Sequence, residues 1–236
     1  MTANPLLDAL EASWPASDYA QAGPFRIGRG LGAGRRVSAA IATAESWTED
    51  HIAQAIGIQA GWDQQPLFRA DPESRLAIHL RAQGWRPDAL TLVMTAPVDA
   101  LTDQEVPPIT CFPIWPPMAI QRDIWTERGI NAARQAVMGR VKLPKTSLLG
   151  RTDDRAAATA FLAADRNYAV LQALEVLPDR RRRGLAKLML REAAFWAEAQ
   201  GCDTLALAVT AENAAAIALY EGLGFSRVGH YEYYLG

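Results

Sequence analysis

The sequence predicts an α/β fold with a mixed sheet, built as two halves of similar architecture. Segments with the apolar and β-branched content of strands alternate with segments that repeat apolar residues at helical spacing. The order strand, helix, strand, helix occurs in both halves, and a proline-rich stretch separates them. We therefore expect a cryptic duplication, with a first half over residues 1–105, a crossing over residues 106–118 and a second half over residues 119–236.

In the first half, residues 35–43 have strand composition, and a helix follows over residues 45–61. Ser46 and Glu49 stand at capping-box spacing at the start of that helix. Residues 65–69 form a short extended piece. Asp71 and Pro72 then provide an N-cap and a first-turn proline for a helix that ends near Gly84. Residues 89–96 complete the half as a strand.

The crossing contains five prolines between residues 102 and 117, which exclude a helix or a central strand there. The second half begins with helices over residues 119–129 and 130–141. Strands follow over residues 145–151, 156–163 and 168–176, then an arginine-rich loop and a helix to about residue 200. The half ends with a strand over residues 204–210, a helix over 213–224 and a strand over 225–235.

Composition limits the classes of function. At 236 residues and 50% hydrophobic content, the chain can bury a large core. A formal net charge of −2 gives no global positive field for nucleic acids or membrane surfaces. Cys111 and Cys202 are too isolated for a disulfide scaffold or a zinc site. Without an export signal or a long apolar run, we expect a cytoplasmic protein that binds no membrane.

The loop in "VLPDRRRRGLAK" lies between a strand that ends at Val176 and a helix that begins near Gly184. Backbone N–H groups at a helix N-terminus are unpaired and face the positive end of the helix dipole, so they bind anions. Gly184 allows a ligand to approach the backbone, and Ala186 keeps the first turn shallow. A solvated turn and a nucleic-acid patch are the alternative interpretations of the four arginines.

Asn213 and Tyr220 are seven residues apart, about two helical turns, on one face of a predicted helix. One ligand can therefore contact both side chains. The alternative is structural: Asn213 as an N-cap and Tyr220 as a core aromatic residue.

From about residue 145 onward, the chain resembles the GNAT superfamily of N-acetyltransferases. The resemblance rests on "LQALEV", "RRRGLA", "KLMLREAAFWAEAQG", "LALAV" and "NAAAIALYEGLGF", in the family's order and spacing. It implies a tandem GNAT fold in which only the second half keeps the coenzyme loop.

The resemblance also implies acetyl-coenzyme A as co-substrate and no metal. Its pyrophosphate would bind the backbone amides of the loop, its pantetheine arm would pair with the strand before the loop, and Asn213 would lie beside that arm. The residues so implied are Leu174, Val176, Arg181, Arg182, Arg183, Gly184, Leu185, Ala186, Asn213 and Tyr220. Tyr220 matches the tyrosine that protonates the leaving thiolate, a role that suits a phenol with an ordinary pKa near 10.

The general base is missing from both positions that relatives use. The segment 213–225 and the "YEYY" ending also resemble ribosomal-protein alanine acetyltransferases, whose glutamate is matched here by Ala208. Histone-type relatives have a glutamate where this chain has Val170. Glu175 lies on the correct strand, but strand alternation points it to the other face unless a bulge reverses it.

The first half resembles a degenerate copy. Residues 65–69 lead into residues 70–80 where the phosphate loop should be, and Pro72 removes an amide donor there. We expect no coenzyme in this half. Because one clear strand follows the last helix where the superfamily has two, we also expect residues 35–43 to complete the second sheet.

We expect an acetyl-coenzyme A-dependent N-acetyltransferase acting on a primary amine, either a small molecule or a protein N-terminus, as a monomer or homodimer. A catalytically silent acetyl-coenzyme A sensor is the alternative, since both glutamates are absent. Nucleic-acid binding has no second basic patch to support it. Trp115 and Trp125 line the acceptor site or fill the junction between the halves, and we favour the junction.

Overall fold

A computed structural model describes residues 4–236. The helices are α1 (Pro5–Ala12), α2 (Arg35–Ser38), α3 (Glu49–Gly61), α4 (Arg75–Ala82), α5 (Ala119–Glu127), α6 (Ala132–Arg140), α7 (Leu185–Ala199) and α8 (Ala214–Glu221). The strands are β1 (Asp18–Ala22), β2 (Phe25–Arg29), β3 (Ala40–Ala42), β4 (Leu67–Ala70), β5 (Arg86–Pro97), β6 (Cys111–Ile114), β7 (Lys145–Thr152), β8 (Arg155–Asp165), β9 (Tyr168–Val176), β10 (Thr204–Thr210) and β11 (Ser226–Leu235).

All eleven strands form one mixed sheet, in the order β1-β2-β3-β4-β11-β5-β10-β9-β8-β7-β6. The two halves exchange strands at its centre: β5 of the first half lies between β10 and β11 of the second, and β11 lies between β4 and β5 of the first. Met94 on β5 is thus opposite both Leu207 and Arg227. Val93, Met94 and Ala96 are buried, as expected of a strand with neighbours on both sides.

The expectation that a first-half segment completes the second sheet is confirmed, but the segment is β5 and not residues 35–43. Residues 35–38 form the single turn α2 after Gly34, whose φ of +99° suits glycine. Only residues 40–42 of the predicted strand form a strand, which pairs with β2 and β4. As predicted, β11 is the one strand after the last helix.

The two halves repeat one arrangement of strands and helices. In the second half the parallel neighbours β9 and β10 flank α7, and in the first half the parallel neighbours β3 and β4 flank α3. The counterpart of the arginine loop is therefore residues 43–48, and the assignment to residues 70–80 with Pro72 was wrong. That counterpart precedes a helix whose first turn is acidic, with Glu49 and Asp50, which disfavours an anion at this position.

Two predicted helix starts in the first half were also wrong. The N-cap of α3 is Thr48 rather than Ser46, and its capping box is completed by the His51 side chain. The N-cap of α4 is Ser74, whose hydroxyl accepts a hydrogen bond from the Ala77 N–H at 3.2 Å. Ser74 lies directly before the first helical residue, so its hydroxyl can accept a hydrogen bond from a free N–H group of the first turn. The preceding Asp-Pro pair lies too far from that turn to cap it.

The first half has an arginine at the position that corresponds to Tyr220 of the second half. Arg81 lies seven residues after the N-cap Ser74, as Tyr220 lies seven residues after the N-cap Asn213. The Arg81 guanidinium donates a hydrogen bond to the Tyr234 hydroxyl at 3.0 Å. The first half therefore has an arginine and no phenol at this place.

A buried cluster joins the halves on one face of the sheet. Trp14 and Val37 of the first half pack with Trp125 and Phe161 of the second. Trp125 is fully buried, and its indole N–H donates to the Ala173 carbonyl at 2.9 Å, which confirms its junction role. Helix α7 packs on the other face, against the core of the second half.

Two features lay outside the sequence prediction, namely helix α1 and the β1–β2 hairpin. The proline-rich crossing contributes β6, which pairs only with β7 at the outer edge of the sheet, where proline is tolerated. Over residues 4–236, none of the helices combines the length and the apolar character needed to cross a bilayer.

Candidate functional site

The arginine-rich loop presents a row of free backbone donors. After β9, a 3₁₀ turn at Pro178–Arg180 leads to Gly184, which precedes α7 with a φ of +80° and no side-chain cap. Within the described residues, the N–H groups of residues 182–187 donate to no other protein group. These six donors lie at the N-terminus of a 15-residue helix, an arrangement that suits an anion.

The free donors differ slightly from the predicted set. The Arg181 N–H is engaged by the Pro178 carbonyl at 3.4 Å, whereas Lys187, which the sequence analysis did not include, adds a free N–H. A Cβ placed on Gly184 would meet no protein atom within 4 Å, so the space above the loop is open to a ligand.

The four arginine side chains of the loop divide into two pairs. Arg180 and Arg183 both contact the Asp153 carboxylate, at 2.8 and 2.6 Å, and so tie the loop to the β7–β8 turn. Arg181 donates from Nε to the Val176 carbonyl at 3.1 Å. Over residues 4–236 neither Arg181 nor Arg182 has a carboxylate partner, so these two charges are available to an anionic ligand.

A cavity of about 680 Å³ extends from this loop to helix α8. All of the candidate residues from the sequence line it except Arg183: Leu174, Glu175, Val176, Arg181, Arg182, Gly184, Leu185, Ala186, Asn213 and Tyr220. The side chain of Arg183 lies instead in a neighbouring cavity of about 380 Å³, beside Asp153.

The strands β9 and β10 separate beside this cavity. They pair only from Tyr168 opposite Thr204 to Leu171 opposite Leu207, so β10 leaves residues 172–176 of β9 unpaired. A bulge lies at Ala173, whose φ is +52°, where the β8–β9 register shifts. With this bulge, consecutive residues of β9 reach the cavity, and Glu175 is among them.

The two titratable candidates influence each other in this cavity. Burial, with the charge of Glu175 added, raises the pKa of Tyr220 to about 12. Burial also raises the pKa of Glu175, although the nearby charges of Arg128, Arg181 and Arg134 oppose this rise. A protonated phenol and a carboxyl with a raised pKa in one cavity are candidates for a general acid and a general base.

Asn213 has the structural role of an N-cap, and it also lines the cavity. Its Oδ1 accepts a hydrogen bond from the Ala216 N–H at 3.1 Å, so it caps α8. Val170 is buried against Ala206, and Ala208 pairs with Val93. Neither Val170 nor Ala208, the two positions where the resemblance implies a glutamate, has an ionisable side chain.

Sequence reasoning missed Arg128, which lies at the end of α5. Its Nε is 3.6 Å from Oε2 of Glu175. No sequence signal links the two residues, because their contact depends on how α5 packs over β9 through Trp125. Within the described part of the chain, no group of three or more His, Cys, Asp or Glu residues is arranged to hold a metal ion.

Comparison with known proteins finds similarity in the second half. Residues 117–225 match the model of the "Acetyltransferase (GNAT) family". The [ribosomal protein bS18]-alanine N-acetyltransferase of Salmonella typhimurium is 47% identical over 74 residues, which cover 31% of this chain and 50% of that protein. The counterpart from Escherichia coli K12 is 44% identical over 70 residues, 30% of this chain and 47% of that protein. The chain thus spans about half the length of the curated relatives it matches.

Solved structures extend the likeness in fold to both halves. A GCN5-related N-acetyltransferase from Kribbella flavida superposes with a TM-score of 0.67 at 18% identity, covering 98% of this chain and 92% of that chain. A tandem GNAT protein from the clavulanic acid biosynthesis pathway superposes with a TM-score of 0.59 at 13% identity, covering 84% of this chain and 74% of that chain. Residues 117–225 therefore match the GNAT acetyltransferase family, within a fold that resembles that of solved GNAT proteins along nearly the whole chain.

Proposed function

We propose that the protein is an acetyl-coenzyme A-dependent N-acetyltransferase that acts on a primary amine. The observation that carries this proposal is the row of free N–H groups of residues 182–187, which opens into the same cavity as Tyr220. A diphosphate suits such a row because each free donor gains a charge-assisted hydrogen bond.

We propose that this cavity holds the coenzyme arm. The loop amides and the unpaired side chains of Arg181 and Arg182 would hold its phosphates. The amide-containing arm would run along the part of β9 that β10 leaves unpaired, where backbone donors and acceptors are free to pair with it. Asn213, at the start of α8, would lie beside this arm. We propose one coenzyme per chain, because the helix that follows the counterpart loop in the first half begins with an acidic turn.

The bound coenzyme supplies an acetyl thioester, which an uncharged amine can attack directly. Tyr220 holds a proton that it can give to a leaving thiolate, since its raised pKa keeps it protonated at neutral pH. Glu175 is the proposed acceptor of the amine proton, directly or through water. Backbone N–H groups of β9 would polarise the acetyl carbonyl, and the site acts largely by positioning the reactants.

We propose that the acceptor is a primary amine, on a protein or on a small molecule. The names of the curated relatives specify an alanine of ribosomal protein bS18, so a protein amine stands beside a small amine as a candidate. Cys111 and Cys202 are both free and buried, which fits the reducing cytoplasm where we propose that the enzyme acts. We propose that the chain consists of a first half over residues 1–105, a crossing over residues 106–118 and a second half over residues 119–236.

A catalytically silent coenzyme-binding protein is the second candidate, and the apolar Val170 and Ala208 favour it. Free thiol release from acetyl-coenzyme A, measured with a panel of primary amines, distinguishes the two. The enzyme proposal expects release that depends on the amine. Tight binding of coenzyme A by calorimetry with no release for any amine would instead support the silent protein.

A further inference from the structure

The first half contacts β9 next to the separated strands. Arg36, on α2, donates from Nη1 to Oε1 of Gln172 at 3.1 Å. Gln172 in turn donates from Nε2 to the Ser13 hydroxyl at 3.1 Å. Gln172 is the first residue of β9 beyond the pairing with β10 and lies three positions before Glu175. First-half side chains therefore reach the strand where we propose the acetyl group to be transferred.

The guanidinium of Arg36 has no anionic partner. Over residues 4–236 no carboxylate lies within 4 Å of it, and its hydrogen bonds go to the Gln172 amide and the Leu10 carbonyl. Its Nε is buried and makes no hydrogen bond. A half-buried charge that only neutral groups contact is costly, and a carboxylate would remove that cost.

Nearby residues do not supply the missing negative charge. Glu11 is near enough for the charge of Arg36 to act on it, but its carboxylate pairs directly with Arg26 at 3.0 Å and with Arg69 at 2.6 Å. Burial by itself would raise the pKa of Glu11, but the charges of Arg69, Arg36 and Arg26 hold it below its usual value. Three guanidinium groups thus share one carboxylate.

A second guanidinium group lies near this strand segment. Arg128, on α5, faces Glu175. Helices α2 and α5 lie on the same face of the sheet, because Val37 and Trp125 pack in one cluster. The coenzyme cavity is bounded by α7 and α8, and α7 packs on the other face. An acceptor that approaches from the α2–α5 face would meet Arg36 on that face, beside Gln172 of β9.

We propose that the acceptor is a small amine that carries a carboxylate, and that Arg36 of the first half pairs with this carboxylate. This inference rests on the proposed acetyltransferase function. It gives the first half, which lacks a coenzyme loop, the role of selecting the acceptor. Arg35, the neighbouring residue, is the matched control, since its charge is already balanced by Asp88 at 2.5 Å.

The test compares two acceptors that differ only at one end, glycylglycine and glycylglycinamide. We expect the wild-type enzyme to acetylate glycylglycine with a kcat/KM about ten- to a hundredfold higher, as a hydrogen-bonded charge pair predicts. Arg36→Gln should abolish this preference, Arg36→Lys should keep part of it, and Arg35→Gln should leave it unchanged. Coenzyme A affinity and melting temperature show that each variant is folded.

Calorimetry with the same two dipeptides, in the presence of coenzyme A, separates this inference from the proposed activity. Binding of glycylglycine that depends on Arg36, without turnover, would refute the acetyltransferase and retain the carboxylate site. Equal binding and equal turnover of the two dipeptides by the wild type would overturn the carboxylate site. Faster turnover of the amide, as a protein N-terminus would favour, would overturn it as well.

Discussion

Glu175 and Tyr220 line one cavity from β9 and α8, and the Glu175 charge adds to burial in raising the pKa of Tyr220 to about 12. The phenol therefore stays protonated across the physiological range while the carboxylate can be ionised. The proposed donor and the proposed acceptor of protons thus line the same cavity, where β9 and β10 separate, and the first three predictions concern this pair.

Replacement of Tyr220 by phenylalanine should lower kcat by about 10²- to 10⁴-fold, the usual effect of removing a general acid. Coenzyme A affinity should change little, because the ring remains packed near Phe225. Steady-state thiol release and calorimetry measure the two quantities. Tyr168→Phe, at the far end of β9, serves as the control and should keep full activity. An unchanged kcat in Tyr220→Phe, with chemistry rate-limiting, would remove Tyr220 from the acid role.

Glu175 should produce the acidic limb of the pH profile. Its pKa is raised above the ordinary 4.5, so kcat/KM should increase with pH through a midpoint above that value, as the carboxyl loses its proton and becomes a base. Glu175→Gln should flatten this limb and reduce the rate by about 10²- to 10⁴-fold. Glu212→Gln, at an exposed position before α8, is the control. A limb that persists in Glu175→Gln belongs to another group.

The charge of Arg128 should shift the pH midpoint of the acidic limb. Its positive charge opposes the rise in the Glu175 pKa, so Arg128→Gln should move the midpoint of the acidic limb to higher pH. The pH dependence of kcat/KM measures this shift. The exposed Arg122, on the same helix, provides the control variant Arg122→Gln. A shift to lower pH would contradict the assignment of the limb to Glu175.

Gly184→Val should abolish acetyl-coenzyme A binding in a folded protein, because the side chain would occupy the open space above the loop amides. A β-branched residue at a φ of +80° also costs about 1–2 kcal/mol of backbone strain. Gly201→Val controls for this strain, since Gly201 has a φ of +75° and similar open space but lies after the far end of α7. Calorimetry should find wild-type affinity only in the control. Unaltered binding by Gly184→Val would place the phosphates elsewhere.

The two halves should be inseparable. Residues 119–236 expressed alone lack β5, so β10 and β11 lose their shared neighbour and expose sheet edges that aggregate. Residues 1–105 and 106–236 should each be insoluble or inactive, and co-expression should restore coenzyme binding at one site per complex. Size-exclusion chromatography and calorimetry test this. A soluble, fully active fragment 119–236, or two coenzymes per intact chain, would refute the prediction.

The sequence predicted the second half well because its signals are local. Strand patterns, the glycine before α7 and the spacing from Asn213 to Tyr220 all act within a few residues, and the structure brings these residues to one cavity. In the first half, Ser46 and Asp71 were misjudged as caps because several polar residues compete near each helix start. Thr48 and Ser74 cap instead, each directly before its helix.

Long-range relationships were beyond prediction. The apolar pattern of β5 indicates a buried strand, but it does not specify that its neighbours are β10 and β11, since many strands would satisfy it equally. The ion pair between Arg128 and Glu175 depends on helix packing over the sheet, and the contact between Arg36 and Gln172 depends on how the halves meet. Such pairs have no sequence periodicity.

The exchange of β5 and β11 also governs how the chain can fold. Pro97 must pair with Thr204, and Arg86 with Leu235, before the central strands of the sheet are assembled. Contacts so distant along the chain slow folding, because a long loop must close before any of its pairing is gained. During synthesis on the ribosome, both hydrogen-bonding edges of β5 stay unpaired until the second half has been made. We expect this apolar strand to need a chaperone until translation has passed β11.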